Sequence, residues 1–296
     1  MVVVHVLHNP AASRSAQREV RSVIARIRAD GERVVDLGAD TPEASTIALR
    51  DAVERQEIEQ LVIAGGDGLV HLAIQHVAKT AIAVTIAPVG SGNDFARALR
   101  GAFGEGKALE GHGRTPTPID LIQVSTSEGH LRWVASVAIA GFPADINRRA
   151  NTMGRRWGSN VYALAAIGEL PSFSRRTFEL SIDGIPVTSD SAMLAIGNTK
   201  YFGGGMLPCP DALPNDGVLQ LTSIEGVGRV GLLPHLIGRA GGTADRKEVL
   251  RGVGQRIDVV DAGHDFWADG EPLGLSPLSF EAVPGALHVQ KVGATS

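Results

Sequence analysis

The residues with the clearest potential for chemistry form a glycine cluster, Gly65-Gly66-Asp67-Gly68, directly after the apolar run Leu61–Ala64. Glycine adopts backbone conformations that other residues avoid, and it lets a ligand approach the main chain closely. Amide groups at the start of a following helix bind phosphate at the positive end of the helix dipole. The cluster therefore predicts a phosphate-binding loop, with a tight strand-to-helix turn as the alternative interpretation.

Two other loops have similar character. Asn9-Pro10-Ala11-Ala12-Ser13 and Gly90-Ser91-Gly92-Asn93 each follow a strand-like run. Neither is a familiar nucleotide fingerprint, because Phe95 stands where a dinucleotide motif needs Gly or Ala and the sequence holds no G-x-x-x-x-G-K-[ST]. G-x-S-x-G and H-E-x-x-H are also missing, which argues against an α/β-hydrolase and against a zinc protease.

The elements that must position these loops alternate over the first third of the chain. Short β-branched runs and amphipathic segments succeed one another, which is typical of βαβ units and a parallel sheet. We predict strands at Val2–Leu7, Val34–Leu37, Leu61–Ala64 and Ile82–Ala87, and helices from a Ser13 cap to Ala29, over Pro42–Arg55, from Gly68 to Lys79 and from Asn93 to Arg100. Ligands of such sheets bind beyond the carboxyl ends of the strands, where the three loops lie.

The character of the sequence changes after a Gly- and Pro-rich stretch, Gly101–Pro118, which we interpret as a linker. Strands are predicted at Ile119–Ser125, Leu131–Ala140, Thr177–Ile182, Ser191–Gly197, Gly217–Thr222, Arg256–Val260 and Leu278–Ala282, with helices near Ala144–Asn151, Asn160–Leu170 and Val227–Ala240. The predicted fold is α/β: a doubly wound α/β nucleotide-binding domain over residues 1–118, then a β-rich, sandwich-like domain over residues 119–296. A return of the C-terminal segment to the first domain is the alternative boundary.

Composition narrows the class of protein. The chain has 296 residues, 44% of them hydrophobic and 20% charged, as in ordinary globular proteins. Its net charge of -4 argues against nucleic acid as a partner, and Cys209 as the single cysteine excludes internal disulfides and thiolate zinc sites. No apolar run reaches the roughly 18 residues of a membrane span, and Met1–Val4 lacks signal-peptide features, so we expect a cytoplasmic protein.

Several motifs together point to one family. Gly65–Gly68 is followed by Pro88-Val-Gly-Ser-Gly-Asn-Asp-Phe-Ala-Arg97, and the same order continues with Asp120-Leu121, Gly141-Phe142, Gly203–Met206, Asn215–Gly217 and Ala268-Asp269-Gly270-Glu271. This arrangement resembles the catalytic domain of the diacylglycerol kinase and sphingosine kinase superfamily, particularly its soluble bacterial lipid kinases. The resemblance covers nearly the whole chain.

The resemblance implies specific roles for residues of this chain. It places ATP on Asn9, Pro10, Ala11, Ala12, Ser13, Gly65, Gly66, Asp67, Gly68, Leu69, Val70, His71 and Ser91. It also places Asp269 and Glu271 at the acceptor hydroxyl, with Asp269 preferred as the base. By dipeptide alone Asp269-Gly270 is no more than a turn, like Asp183-Gly184.

The resemblance also implies a structural Mg²⁺ held by Asp216 with the carbonyls of Leu213 and Val218, since hard oxygen ligands suit this ion. A hairpin turn at Asn215–Gly217 is the alternative. Two departures from the bacterial pattern, Leu69 for a common Thr and Leu72 for a frequent Glu, affect the expected metal geometry and the acceptor.

A basic segment lies between Arg148 and Arg176, where six arginines stand in three adjacent pairs with Glu169 as the one acid. Interleaved apolar residues such as Trp157 suit docking on an anionic bilayer, and a solvated helix packed through its apolar side is the alternative.

We therefore predict an ATP- and Mg²⁺-dependent lipid kinase that phosphorylates the hydroxyl of diacylglycerol or a similar lipid. It would associate peripherally with the inner face of the membrane, with a homodimer as a further expected partnership. Two alternatives remain at this point: an NAD kinase-like enzyme, and a catalytically silent regulator that binds lipid or nucleotide.

Overall fold

The computed structural model describes residues 2–89, 92–103, 115–153, 161–228 and 248–292. The chain divides into two compact units. The first unit comprises Met1–Leu121, Pro214–Asp216 and Val283–Ser296, and the second comprises Ile122–Leu213 and Gly217–Ala282. An α/β unit and a β-rich unit are both present, which confirms the predicted fold class.

The first unit is built around a parallel sheet. Its elements are β1 (Val3–His8), α1 (Arg14–Ala29), β2 (Arg33–Asp36), α2 (Pro42–Glu54), β3 (Gln60–Gly65), α3 (Asp67–Val77), β4 (Ala83–Pro88) and α4 (Asp94–Phe103). The strands lie in the order β4-β3-β1-β2 and all run parallel. The predicted βαβ units are therefore confirmed, with strand ends that differ by one residue.

Local sequence explains where the first two helices begin. The Ser13 hydroxyl accepts a hydrogen bond from the Ala16 amide at 3.3 Å, and Thr41 caps α2 in the same way through the Ala44 amide at 3.1 Å. Such caps satisfy one of the amides that a helix start leaves unpaired. The predicted Ser13 cap is confirmed.

The strand order reverses its direction at one point of this sheet. β1 pairs with β2 on one side and with β3 on the other, so the connections after β1 and β3 turn to opposite directions. The loops that follow β1 and β3 therefore diverge at the carboxyl ends of these two strands. In doubly wound sheets this switch point is where ligands bind.

The second unit is mainly antiparallel. Its elements are β5 (Thr117–Thr126, which begins in the first unit), β6 (Leu131–Val134), β7 (Val137–Gly141), α5 (Phe142–Met153), α6 (Val161–Glu169), a turn of 3₁₀ helix (Leu170–Ser172), β8 (Arg176–Ile182), β9 (Ile185–Gly197), β10 (Leu219–Glu225), β11 (Val249–Gly254), β12 (Arg256–Val259), β13 (Asp265–Ala268), β14 (Glu271–Leu275) and β15 (Leu278–Val292). β7 lies between β13 and β9, and β9 also pairs with β8 and β10. β15 begins in the second unit, where it pairs antiparallel with β12. Its C-terminal part belongs to the first unit and pairs there with β4 in parallel.

Two apolar clusters stabilise the β-rich unit. One contains the fully buried rings of Phe178, Phe266 and Phe280. The other packs Phe142 of α5 and Trp267 of β13 against the sheet. Burying one large apolar side chain contributes about 1.5–3 kcal/mol, so these clusters supply much of the unit's stability.

Three sequence predictions need correction. The predicted strand Leu131–Ala140 is wrong as a single element, because the chain bends at Ala135 and Ser136 between β6 and β7. The predicted linker Gly101–Pro118 overlaps the end of α4 and the start of β5, and its residues 104–114 lie outside the described residues. The predicted helix Val227–Ala240 is not helical at Val227 and Gly228, and the remainder lies outside the described residues.

Candidate active site

The loop after β1 is held by its own side chains. The Asn9 Oδ1 atom accepts a hydrogen bond from the Ala11 amide at 2.9 Å. The Gln17 side chain donates from Nε2 to the carbonyls of Pro10 at 2.6 Å and Ala12 at 3.1 Å. The start of α1 is thereby fixed below the loop, and its first turn holds no acidic residue to compete with an anion.

The loop after β3 leaves the start of α3 without a side-chain cap. Gly66 occupies the cap position with an extended backbone, and it has no side chain that could cap α3. At Gly65 the packing is close, because a Cβ atom there would lie 2.5 Å from Leu69 Cδ2. At Gly68 a Cβ atom would have nothing within 4 Å, so this part of the loop faces open space.

A cavity lies where the two loops meet. Its volume is about 180 Å³, and it is lined by Asn9, Ala12, Ala16, Val20, Ala64, Gly65, Gly66, Gly68, Leu69 and Val89. These residues belong to the switch point between β1 and β3, and the helices α1 and α3 both start beside it. Two helix starts beside one cavity favour a polyanion such as a nucleotide phosphate chain.

The remaining residues assigned to ATP have different positions. Val70 and His71 are buried in α3, at 3% and 4% exposure, and neither lines the cavity. Their contact with ATP stays a prediction. Ser91 and its neighbour Gly90 lie outside the described residues.

The Asp67 carboxylate bonds to a neighbouring helix. Its Oδ2 atom accepts from the Asp94 amide at 3.0 Å and its Oδ1 atom from the Phe95 amide at 3.1 Å. Asp67 therefore caps α4, although it belongs to the first turn of α3. A Cβ atom at Gly92 would lie 2.9 Å from Asp67 Oδ2, which explains a glycine at that position. The family resemblance assigns Asp67 to the phosphates. In the structure, these two bonds hold the loop after β4 beside the loop after β3.

In the second unit, Asp269 and Gly270 form the two-residue turn between β13 and β14. Both have positive φ, 51° and 89°, as a type I′ hairpin requires. The Asp269 Oδ2 atom accepts a hydrogen bond from the Ala135 amide at 2.9 Å. Glu271 is exposed at the start of β14, so the two carboxylates have different surroundings.

Asp183 and Gly184 form the same kind of turn between β8 and β9, with φ of 48° and 85°. The Asp183 carboxylate accepts from the amides of Gln255 at 3.2 Å and Arg256 at 2.9 Å. The backbone conformation therefore does not distinguish Asp269 from Asp183, and the side-chain surroundings do. Asp183 is a matched control for any test of Asp269.

The residues assigned to Mg²⁺ lie in the connection between β9 and β10. Leu213 and Asp216 are exposed, and Val218 is half-buried. Within the described part of the chain, no three or more His, Cys, Asp or Glu side chains come together as a metal site. An ion there would be held by one carboxylate, two main-chain carbonyls and water, an oxygen-only set that fits Mg²⁺.

Cys209, the single cysteine, is unsuited to catalysis. Cys209 is fully buried, and burial raises the pKa of its thiol to about 12. A thiol in that state is neither a nucleophile nor a metal ligand at neutral pH.

The basic segment is largely neutralised within the second unit. Each of its four described arginines makes an ion pair: Arg148 with Asp145 and Asp265, Arg149 with Glu169, Arg175 with Asp190, and Arg176 with Asp145. The pKa of Glu169 is lowered, first by the hydrogen bond from Ser172 and then by Arg149. Arg155 and Arg156 lie outside the described residues. Membrane docking through the four described arginines therefore loses support.

Sequence reasoning missed a different basic surface, on α1. Arg14, Arg18, Arg21 and Arg28 are exposed, and their spacing places them on one face of the helix. Within the described residues none of the four makes an ion pair. The opposite face packs Val20 into the core of the first unit. A helical-wheel projection of residues 14–29 would have revealed this stripe.

Comparison with known proteins places the chain in a family. Residues 3–124 match the diacylglycerol kinase catalytic domain, and residues 136–291 match the YegS C-terminal NAD kinase beta sandwich-like domain. A diacylglycerol kinase of Mycobacterium tuberculosis is 32% identical over 295 residues, which cover 97% of this chain and 94% of that protein. A protein of Pseudomonas putida assigned as a YegS-like lipid kinase is 28% identical, with coverage of 96% and 93%.

Solved structures show the same fold. A Bacillus anthracis protein described as a diacylglycerol kinase superimposes with a TM-score of 0.74 and 16% identity, covering 98% of this chain and 97% of that chain. Yeast NADH kinase, solved with NADH, gives a TM-score of 0.52 at 11% identity, covering 100% of this chain and 84% of that one.

The fold and the relatives define a lipid kinase. The chain belongs to the family of diacylglycerol kinases and YegS-like lipid kinases, in which ATP is the co-substrate and a lipid the acceptor. Among the described residues, no helix is long and apolar enough to cross a bilayer.

Substitutions at Gly66 test the phosphate cradle. Asp and Asn are both favourable at a helix cap with this extended backbone, so Gly66→Asp and Gly66→Asn should both fold at least as stably as the parent. The two variants differ in charge and hardly in size. Because a carboxylate repels phosphate oxygens, the Asp variant should bind ATP at least about tenfold more weakly than the Asn variant by calorimetry. Equal ATP affinities in the two folded variants would show that the phosphates lie elsewhere.

Proposed function

We propose that this protein transfers the γ-phosphoryl group of ATP to the hydroxyl of diacylglycerol or a similar lipid, with Mg²⁺, at a membrane surface. The observation that carries the proposal is the cavity at the switch point between β1 and β3, with the starts of α1 and α3 beside it. Family membership supplies the lipid acceptor.

The chemistry needs three contributions from this chain. Phosphoryl transfer depends on positioning of the phosphates, on neutralisation of their charge and on a group that receives the hydroxyl proton. Amides from the Asn9–Ser13 loop and from Gly65–Gly68 would position the phosphates. Asp269 would accept the proton as the acceptor oxygen bonds to phosphorus, and Glu271 would support it or replace it.

Mg²⁺ enters the proposal as a bound ion with oxygen ligands. Asp216 and the carbonyls of Leu213 and Val218 would hold a structural ion, and a second ion would accompany ATP and neutralise its phosphates. Leu72, where the bacterial pattern often has Glu, offers no carboxylate for that second ion.

The α1 stripe supports action at a membrane surface. A kinase for a water-insoluble lipid must meet its acceptor at a bilayer, and each basic residue near an anionic bilayer adds about 1 kcal/mol of binding. The stripe comprises Arg14, Arg18, Arg21 and Arg28, whose charges are not neutralised within the described chain. We therefore assign the docking role to α1 in place of the described arginines of the basic segment.

Radiolabelled ATP tests the function against a panel of acceptors. We expect label in diacylglycerol or a related lipid, present with Mg²⁺ and lost when the ion is chelated. NAD and NADH belong in the panel because of the fold shared with yeast NADH kinase. Label in the dinucleotide alone would overturn the lipid assignment, and no label in any acceptor would favour the silent regulator.

Asp269→Asn tests the proton acceptor. Asn keeps an oxygen for the Ala135 amide and tolerates positive φ, so the turn should survive. Loss of the basic carboxylate should reduce lipid phosphorylation by at least about a hundredfold with ATP affinity unchanged. Asp183→Asn makes the same change in the same kind of turn and should keep normal turnover. Normal turnover in Asp269→Asn together with an inactive Glu271→Gln would transfer the role to Glu271.

Liposome sedimentation tests the membrane surface. Arg18→Gln/Arg21→Gln should weaken binding to anionic vesicles by about tenfold or more, and added salt should weaken binding of the parent in the same direction. Arg55→Gln/Arg132→Gln removes the same charge at exposed positions elsewhere and should bind normally. Arg155→Ala/Arg156→Ala tests the basic segment. A loss confined to this last variant would return the docking role to the basic segment.

A further inference from the structure

The bend at Ala135 and Ser136 is held from two sides within the second unit. On one side, the Ala135 amide donates to Asp269 Oδ2 at 2.9 Å. On the other side, Asn198 donates from Nδ2 to the Ala135 carbonyl at 3.4 Å and from its amide to the Ser136 carbonyl at 2.9 Å. The Thr199 amide adds a bond to the Ser136 carbonyl at 3.3 Å. One short segment thus joins Asn198 to the Asp269 carboxylate.

The residues that make these hydrogen bonds are buried, so the loss of one bond is costly. Ala135 is 1% exposed, Ser136 5%, and Asn198 is fully buried just after β9. A carbonyl at such depth has no water to replace a lost donor, so the removal of the Asn198 side chain would leave the Ala135 carbonyl without that hydrogen bond. The segment would then shift, and its other amide bond, to Asp269, would shift with it.

The hydrogen bond between Asp269 and the Ala135 amide depends on the bend at Ala135 and Ser136. β13 pairs with β7 from Ala268 opposite Ala138 to Phe266 opposite Ala140. Beyond that ladder, the Asp269 side chain reaches Ala135, three residues before Ala138 along the chain. A continuous strand over Leu131–Ala140 would have directed the Ala135 amide into the ladder pattern, and the bend instead directs it to the carboxylate.

We propose that Asn198 is a positioning residue for phosphoryl transfer, which orients the Asp269 carboxylate through the Ala135–Ser136 segment. This inference rests on the proposed role of Asp269 as the proton acceptor. In this proposal Asn198 does not bind the substrate, and it affects the reaction only through the position of Asp269. A displacement of about 1 Å at a reacting group can lower a rate by about a hundredfold, so a small shift of the segment has a large expected effect.

Kinetics of Asn198→Ala test the proposal, with Asn198→Ser as a milder variant that keeps a short donor. Asn198→Ala should lower kcat by about 10- to 100-fold and leave KM for ATP unchanged, and Asn198→Ser should lose less. Ser189→Ala is the control, because it removes a buried 2.6 Å hydrogen bond between Ser189 and Ser223. Ser189 lies in β9, the strand that ends directly before Asn198. The control should lose stability and keep its kcat.

A double-mutant cycle separates positioning from a general structural role. If Asn198 acts through Asp269, Asn198→Ala should lower the residual rate of Asp269→Asn by less than about twofold. An equal fall in both backgrounds, or a kcat within twofold of the parent in both folded Asn198 variants, would overturn the proposal. A normal rate in Asp269→Asn would instead overturn the proposed role of Asp269 as the proton acceptor, on which this inference rests, and a lack of label in every lipid acceptor would overturn the proposed function. The failures are therefore distinguishable.

Discussion

The bonds from the Asp67 carboxylate to the start of α4 are the constraint on which the candidate phosphate site of the first unit depends. Both oxygens of Asp67 accept main-chain amides, from Asp94 and Phe95. Since Asp67 also begins α3, one side chain couples the loops after β3 and β4. Asp94 in turn binds Arg97, whose guanidinium also donates to the Gly92 carbonyl at 3.0 Å. The proposed phosphate site at the start of α3 therefore lies beside a carboxylate whose two oxygens bind amides of α4.

Two other carboxylates, those of Asp269 and Asp120, also accept hydrogen bonds from main-chain amides of distant segments. Asp269 receives the Ala135 amide, 134 positions earlier in the chain. Buried Asp120 receives the Gly285 amide at 2.9 Å, while its own amide donates to the Pro214 carbonyl at 2.7 Å. A hydrogen bond to a charged group contributes about 1.5–3 kcal/mol, more than a neutral one. These few bonds therefore fix loops that lack regular pairing, and the proposed catalytic groups stand on or beside them.

Arginine content alone is a poor guide to a docking surface, as the two basic regions show. The described arginines between Arg148 and Arg176 form ion pairs with Asp145, Asp265, Glu169 and Asp190. Those on α1 lie opposite a packed apolar face and make no ion pair within the described chain. The field that attracts an external anion is the sum of all nearby charges, so an arginine beside a carboxylate contributes less to it than an unpaired arginine. The basic segment is conspicuous in the sequence because its arginines are adjacent, whereas the α1 stripe is spread over about four helical turns.

The sequence by itself determined the α/β unit, the Ser13 cap, the glycine loops and the family, because each depends on residues that are close along the chain. Helix periodicity, capping and turn preference are local properties, so the sequence predicts them directly. Tertiary structure decided that Asp67 caps α4, that Leu131–Ala140 bends at Ala135, and that Asn198 lies behind Asp269. It also decided which arginines are neutralised. Each of these outcomes depends on which backbone amide or acidic side chain of a distant segment lies next to the residue. The local sequence pattern carries no information about such long-range contacts.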